Sequence, residues 1–391
     1  MRYTIVFLLL VSIFGCYAVN LKSFVQGNDK FTVNTYQKLV KISGDDNIIF
    51  SGLSAEVILS LLANGARGTT RKQLLQGLNL PHNIPNINKA YTKITSGLNI
   101  NEDAYTLKLA NKIYLASDFS IRSEFNDVAV NSYDAEVENL DFSKSVKAAN
   151  LMNSWVEEKT NNTIKNLIDP QTLNAFTKLV LINALYFSGQ WENPFSAKKT
   201  TDKIFHSSPT KSKKIPTMYT EAYANYAYNQ QLKAKFLELR FINGNISMTF
   251  VLPDEIDGLA AAEKNLGQYL ASQEMKYARV AITLPKFKIE TKIDFKPILK
   301  SLGVKNIFSN GADLTGISKE RGLKVSSVLQ KAFINVNEDG VEAAAATAVI
   351  IGQKSLVPPP PKFIFEADHP FYFYIRDWNT GITLFSGRFV N

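Results

Sequence analysis

The run Leu179 to Phe187, LVLINALYF, is nearly unbroken in apolar residues and rich in strand formers. It has the length of a strand, and apolar residues at both parities mean that both faces of that strand are covered. Other segments supply the covering layers. Ser54 is placed to cap a helix whose Val57, Ile58, Leu61 and Leu62 share one face, with Gly65 near its end. Ala149, Met152, Trp155 and Val156 outline a second amphipathic helix. Val280, Ile282 and Leu284 alternate, then Pro285 shifts the phase to Phe287 and Ile289, which predicts a bulge or an edge position. Phe371, Phe373 and Ile375 alternate, and Asp377 to Gly381 supplies a turn into Ile382 and Leu384. Helices early and strands late make an α+β chain. With 391 residues and 45% apolar content the chain can bury a large core. No linker, internal repeat or shift in composition divides it, so a single domain is expected.

A second segment is unusual. Glu338, Asp339 and Gly340 lead into Val341, Glu342, Ala343, Ala344, Ala345, Ala346 and Thr347, and then into Val349, Ile350 and Ile351. A glycine hinge, small residues and then β-branched ones let a segment first be an exposed loop and later slide between existing strands. As a strand it would turn Val341, Ala343, Ala345, Thr347 and Val349 to one face, and Glu342, Ala344, Ala346 and Ala348 to the other. Taken alone, four alanines after a glutamate read more often as an exposed helix. The flanks change that balance.

These flanks resemble the hinge of the serpin family, and further motifs follow in that family's order. Asn47 to Thr70 (NIIFSGLSAEVILSLLANGARGTT) resembles the family's early helix and the loop after it. Thr177 to Phe195 (TKLVLINALYFSGQWENPF) is similar to its central-strand signature, with Asn183 and Trp191 at the matching places. LPKFKIE at Leu284, ADLTGI at Ala312, DHPFYFYIR at Asp368 and LFSGR at Leu384 complete the set, which spans residues 47 to 388. The resemblance implies the serpin fold: a large central mixed β-sheet, further sheets, about eight to nine helices and an exposed reactive centre loop at about 338–361.

The N-terminus carries Arg2, the apolar run Ile5 to Phe14 and small residues near Ala18, which is signal-peptide architecture. A run this short does not anchor in a membrane, which takes roughly 20 apolar residues. Removal of residues 1–18 leaves a domain over 19–391, secreted to the extracellular space. That cut also removes Cys16, the only cysteine, so no disulfide contributes and stability rests on the core. Asn161 (NNT) and Asn245 (NIS) are glycosylation sequons, and Asn161 is favoured because Asn245 abuts the apolar strand Met248 to Leu252.

The chain offers no enzyme constellation. Its three histidines, His82, His206 and His369, are scattered without metal-ligand spacing, and there is no Gly-x-Ser-x-Gly elbow, phosphate loop or surviving thiol. The expectation is a protein that is not an enzyme and needs neither metal nor cofactor. The formal charge of +9, or +8 once Arg2 leaves, gathers at Arg67, Arg71 and Lys72 and at Lys211, Lys213 and Lys214. These clusters read as solvated surface, and nothing in them points to nucleic acid or membrane. Some serpins bind glycosaminoglycans through a basic helix, and Arg71 and Lys72 start the corresponding region, but it soon turns neutral.

In inhibitory serpins the scissile bond lies fourteen residues beyond the hinge glycine, which from Gly340 is Lys354, with Ser355 after the cut. The resemblance therefore implies a monomer whose partner is a trypsin-like serine protease, because the aspartate in such a protease's pocket pairs with a lysine. Inhibition of a papain-like cysteine protease is an alternative, as is a non-inhibitory carrier, storage or chaperone role, against which the small hinge residues argue. Ser51, Ser54, Asn183 and Gln330 correspond to the region beneath the sheet that governs its opening, with Trp191 alongside. Gln330 departs from the family's usual histidine, yet still donates and accepts hydrogen bonds. Ser51-Gly52 stands for Ser-Pro, Val341 for Thr or Ser, and Pro358 to Pro361 adds a stiff polyproline stretch after the cut.

Overall fold

The structure is a computed structural model that describes residues 21–96, 100–101, 105–242, 245–341 and 360–391. In chain order its helices are α1 (Leu21–Ser43), α2 (Gly52–Gly65), α3 (Gly68–Gly77), α4 (Ile84–Ser96), α5 (Ser123–Tyr133), α6 (Ser145–Lys159), α7 (Leu259–Lys264), α8 (Leu266–Leu270) and α9 (Phe295–Ser301). The strands are β1 (Ile48–Phe50), β2 (Ile100–Asn101), β3 (Tyr105–Ala116), β4 (Ala135–Leu140), β5 (Leu179–Gln190), β6 (Thr201–Ser208), β7 (Lys211–Asn229) and β8 (Ala234–Arg240). They continue as β9 (Ile246–Pro253), β10 (Lys276–Pro285), β11 (Phe287–Asp294), β12 (Val325–Val336), β13 (Gly340–Val341), β14 (Phe363–Glu366), β15 (Phe371–Asp377) and β16 (Thr383–Phe389).

Among the described residues seven strands form the central sheet, in the order β11-β12-β13-β5-β3-β2, with β4 on the far part of β3. It is mixed: β3 and β5 run antiparallel, whereas β5 and β12 run parallel. The apolar run occupies β5, buried from Leu179 through Phe187 as two-sided coverage requires, with α2 packed on one side and α6 across neighbouring β3 on the other. The other sheet has nine strands, β1-β16-β15-β9-β8-β7-β10-β14, with β6 on β7. The Asp377 turn is present: its carboxylate accepts from the backbone of Asn379 and Thr380, and Gly381 takes a left-handed φ of 76°.

Four local expectations are corrected in whole or in part. The N-cap of α2 is Ser51, whose Oγ accepts from the Ser54 backbone at 3.1 Å, which frees the Ser54 hydroxyl for other work. That helix is also buried nearly all round rather than on one face, as befits a rod threaded between α1 and the central sheet. The phase shift at Pro285 is not a bulge, whereas the edge position holds for β11, which ends the central sheet. The chain changes sheets there: β10 pairs with β7 as far as Pro285, and β11 pairs with β12 from Phe287. Long strands β3 and β4 also lie among the early helices, so the order helices-then-strands holds only in part.

Candidate functional site

One row of amides crosses the central sheet. Asn111 on β3, Asn183 on β5 and Gln330 on β12 are paired neighbours in register, all buried and turned toward α2. Gln330 grips the backbone of Ser51 from both sides: its Oε1 accepts from Ser51 N at 3.0 Å, and its Nε2 donates to Ser51 O at 2.9 Å. The same Nε2 donates to Asn183 Oδ1 at 2.6 Å. Asn183 Nδ2 then donates to Asn111 Oδ1 at 2.7 Å and to the Ser54 hydroxyl. Strands β3, β5 and β12 are thus tied to one another and to the start of α2 by groups that find no water there, where each unmade bond is costly.

Above this row the sheet parts. β5 and β12 pair from Leu179 and Val325 up to Leu185 and Ala332. Beyond that level β13 lies between them, Val341 opposite Gly189 on β5 and Val336 on β12, and Gly340 opposite Gln190. Val341 is fully buried. The chain reaches this gap through a tight turn, in which Asn337 N donates to Gly340 O at 2.9 Å and Asn337 Oδ1 accepts from Asp339 N and Gly340 N. Trp191, stacked on Phe241 at 4.6 Å, braces the turn with its indole N–H on Asn337 O and its backbone N–H on Asp339 O.

Glu338 anchors the same turn. Its carboxylate accepts from Thr200 Oγ1 and Lys286 Nζ, each at 2.8 Å. Burial works to raise its pKa, but the bonds from Lys286, the backbone and Thr200 prevail and hold it below the ordinary range. On the outer face a further cluster fastens α6. Lys112 Nζ sits between Glu136 at 2.8 Å and Glu138 at 2.7 Å, Lys159 joins Glu136 at 2.9 Å, and the Trp155 indole donates to Glu136 at 3.1 Å. Burial opposes the Glu136 charge, yet the bonds from Lys112, Lys159 and Trp155 bring its pKa down to about 2.

Of the residues singled out in the sequence, Ser51, Ser54, Asn183 and Gln330 meet in one network. Trp191 does not join it: eight residues past Asn183 and just beyond the end of β5, it belongs to the turn at Glu338 and Gly340. Asn161 and Asn245 are both exposed, so strand β9, which begins at Ile246, does not bury the Asn245 side chain. Arg67 and Arg71 donate to the carbonyls of Ala63, Asn64 and Ala66 and so cap the C-terminal end of α2, while Lys72 stays exposed. Lys211, Lys213 and Lys214 are exposed on β7. Residues 1–20 with Cys16, the hinge residues Glu342 to Thr347, the bond Lys354–Ser355 and Pro358 lie outside the described residues. Sequence reasoning missed Asn111, Thr200, Lys286 and the α6 cluster. Only Lys286 had a signal, as the one residue that breaks the alternation after Pro285.

Among the described residues there is no cluster of potential metal ligands, and no helix is long and apolar enough to cross a membrane. The family model described as Serpin (serine protease inhibitor) matches residues 26–391. Alaserpin of Manduca sexta is 38% identical over 372 residues, 93% of each chain. Antitrypsin of Bombyx mori is 35% identical over 394 residues, covering 99% of this chain and 100% of its own. Among solved structures, Serpin48, a highly specific serpin of the insect Tenebrio molitor, superposes with a TM-score of 0.87 at 41% identity, over 95% of this chain and 98% of its own.

Proposed function

The chain belongs to the serpin family, and from that premise we propose that it is a secreted suicide-type inhibitor of a trypsin-like serine endopeptidase, cleaved between Lys354 and Ser355. The observation that carries the reading is β13: Gly340 and Val341 lie between β5 and β12, paired with both, where a longer strand would have to begin. The register from Gly340 to Lys354, and a relative that is an antitrypsin, support the protease class. The leader motif and the exposed sequons at Asn161 and Asn245 support secretion and glycosylation.

The protease serine attacks the Lys354 carbonyl and forms an acyl-enzyme, with Ser355 and all that follows as leaving group. The segment behind the cut then follows β13 into the sheet. Fifteen residues from Gly340 to Lys354, at about 3.3 Å each, reach roughly 50 Å, enough to drag the tethered protease across the molecule and strain its oxyanion hole. About a dozen new ladder bonds at roughly 0.5 to 1.5 kcal/mol each give on the order of 10 kcal/mol, comparable to a domain's whole stability. The intact molecule is then a kinetically trapped state. The amide row is the part of the sheet that must let go, and the α6 cluster holds down the helix that overlies it.

Brief incubation with trypsin tests the reading. A denaturant-stable adduct, together with a released peptide that starts at Ser355, is the expected result. Blocked papain without a serine-protease adduct would move the target to the cysteine class. Cleavage with no adduct to either would leave a carrier, storage or chaperone role.

A further inference from the structure

Glu56 sits in α2, buried, with no cation facing it. From α1, Asn28 Nδ2 donates to its Oε2 at 2.6 Å, and the neighbouring Asp29 brings a charge of the same sign. From α4 Tyr91 faces Glu56 and Ser60, whose Oε1 and Oγ are buried with no hydrogen-bond partner among the described residues, and Tyr133 of α5 packs against Tyr91 with ring centroids 5.5 Å apart. Asp29 is held elsewhere: Thr383 Oγ1 donates to it at 2.9 Å, and Arg376 offsets its charge from that side. A carboxylate at Glu56 would therefore be a buried anion with neutral partners only. Burial pushes its pKa up to about 8 against the pull of Asn28 and Tyr91, and Asp29 adds to the rise, so that near neutral pH the group keeps its proton.

The position of this acid matters more than its rarity. On one side α2 offers Ser51 and Ser54 to Gln330 and Asn183, the row that ties β12 to β5. On the other side it is pressed on α1 so closely that a Cβ on Gly52 would lie 2.1 Å from Thr32 Oγ1. The helix has no slack toward α1. A charge forming at Glu56 is relieved by letting water into the α1–α2 seam, which displaces the rod that carries Ser51 and Ser54.

We propose that Glu56 is a proton-held brace of the central sheet: protonated, it keeps α2 seated and the amide row closed, and loss of the proton loosens α2 and lets β5 and β12 separate. The inference goes beyond inhibition and does not depend on which protease, if any, is bound.

Hydrogen exchange of the intact protein, compared at equal pH with Glu56→Gln, tests it. At pH 4, where Glu56 keeps its proton whether α2 is seated or loosened, the two should exchange alike, and the wild type should rise above the variant as pH climbs from 4.5 toward 8. At pH 9 the amides of residues 179–185 and 325–332 should exchange about tenfold faster in the wild type than in the variant. Asp29→Asn, which removes the like charge and keeps an acceptor for Thr383, should make the wild-type rise level off at lower pH, and it carries the test if Glu56→Gln fails to fold. Equal exchange at pH 9, a difference confined to α1 and α2, or no shift in Asp29→Asn would overturn the proposal. None of these readouts involves a protease, so their failure is separate from failure of the proposed function.

Discussion

Gly340 and Gly189 meet backbone to backbone: a Cβ on Gly340 would stand 1.9 Å from the Gly189 carbonyl oxygen and 2.8 Å from the Gln190 Cα. The position at which β13 enters the sheet thus needs a residue without a side chain. Gly340→Ala should push β13 off β5 at a cost of about 1–3 kcal/mol. A protease that cuts such a variant should release it as ordinary substrate, seen on a denaturing gel as cleaved protein with little adduct.

The buried amide row makes Gln330 the next target. Gln330→Ala strands Ser51 N–H and Asn183 Oδ1, while Ser51 O keeps the Ala55 N–H. At about 1 kcal/mol or more for each stranded group, the variant should lose roughly 2 kcal/mol in urea unfolding. It should also lose inhibitory capacity faster on storage at 37 °C. Retention of both would mean that the row does not restrain the sheet.

The α6 cluster sets an acid limit. The folded pKa of Glu136 lies near 2, below its ordinary value of 4.5. Its contribution is therefore present above pH 4.5 and is lost as pH falls through 2. The side chain is about half exposed, so the effect is modest. Melting curves of wild type and Glu136→Gln should differ most above pH 4.5 and converge toward pH 2.

On the proposed register, Lys354 selects the protease. Lys354→Glu offers a like charge to the aspartate in the protease pocket, and should slow trypsin inhibition by about 10³-fold or more. The melting temperature should be unchanged. An unaffected rate would move the scissile bond elsewhere.

Much of this was legible in the chain. The double-sided burial of β5 followed from LVLINALYF, and Asn183, the single polar residue in that run, marked the row that crosses the sheet. What could not be read were partners distant in sequence. Glu338 meets Thr200 and Lys286, and Lys112 meets Glu136, Glu138 and Lys159, by tertiary placement that no local pattern encodes. The switch of sheets at Lys286 left only a break in alternation, which a bulge would also produce. Ser51 rather than Ser54 caps α2 because two serines three residues apart both fit the local rule, and Asn183, 129 residues from Ser54, decides between them.

Thermal unfolding of the protein before and after a single cut in the loop tests the central claim most directly. If the severed segment joins the sheet, the cut protein gains on the order of 10 kcal/mol and should melt roughly 10 °C higher or more. A cut protein that melts at or below the temperature of the intact one would contradict the account.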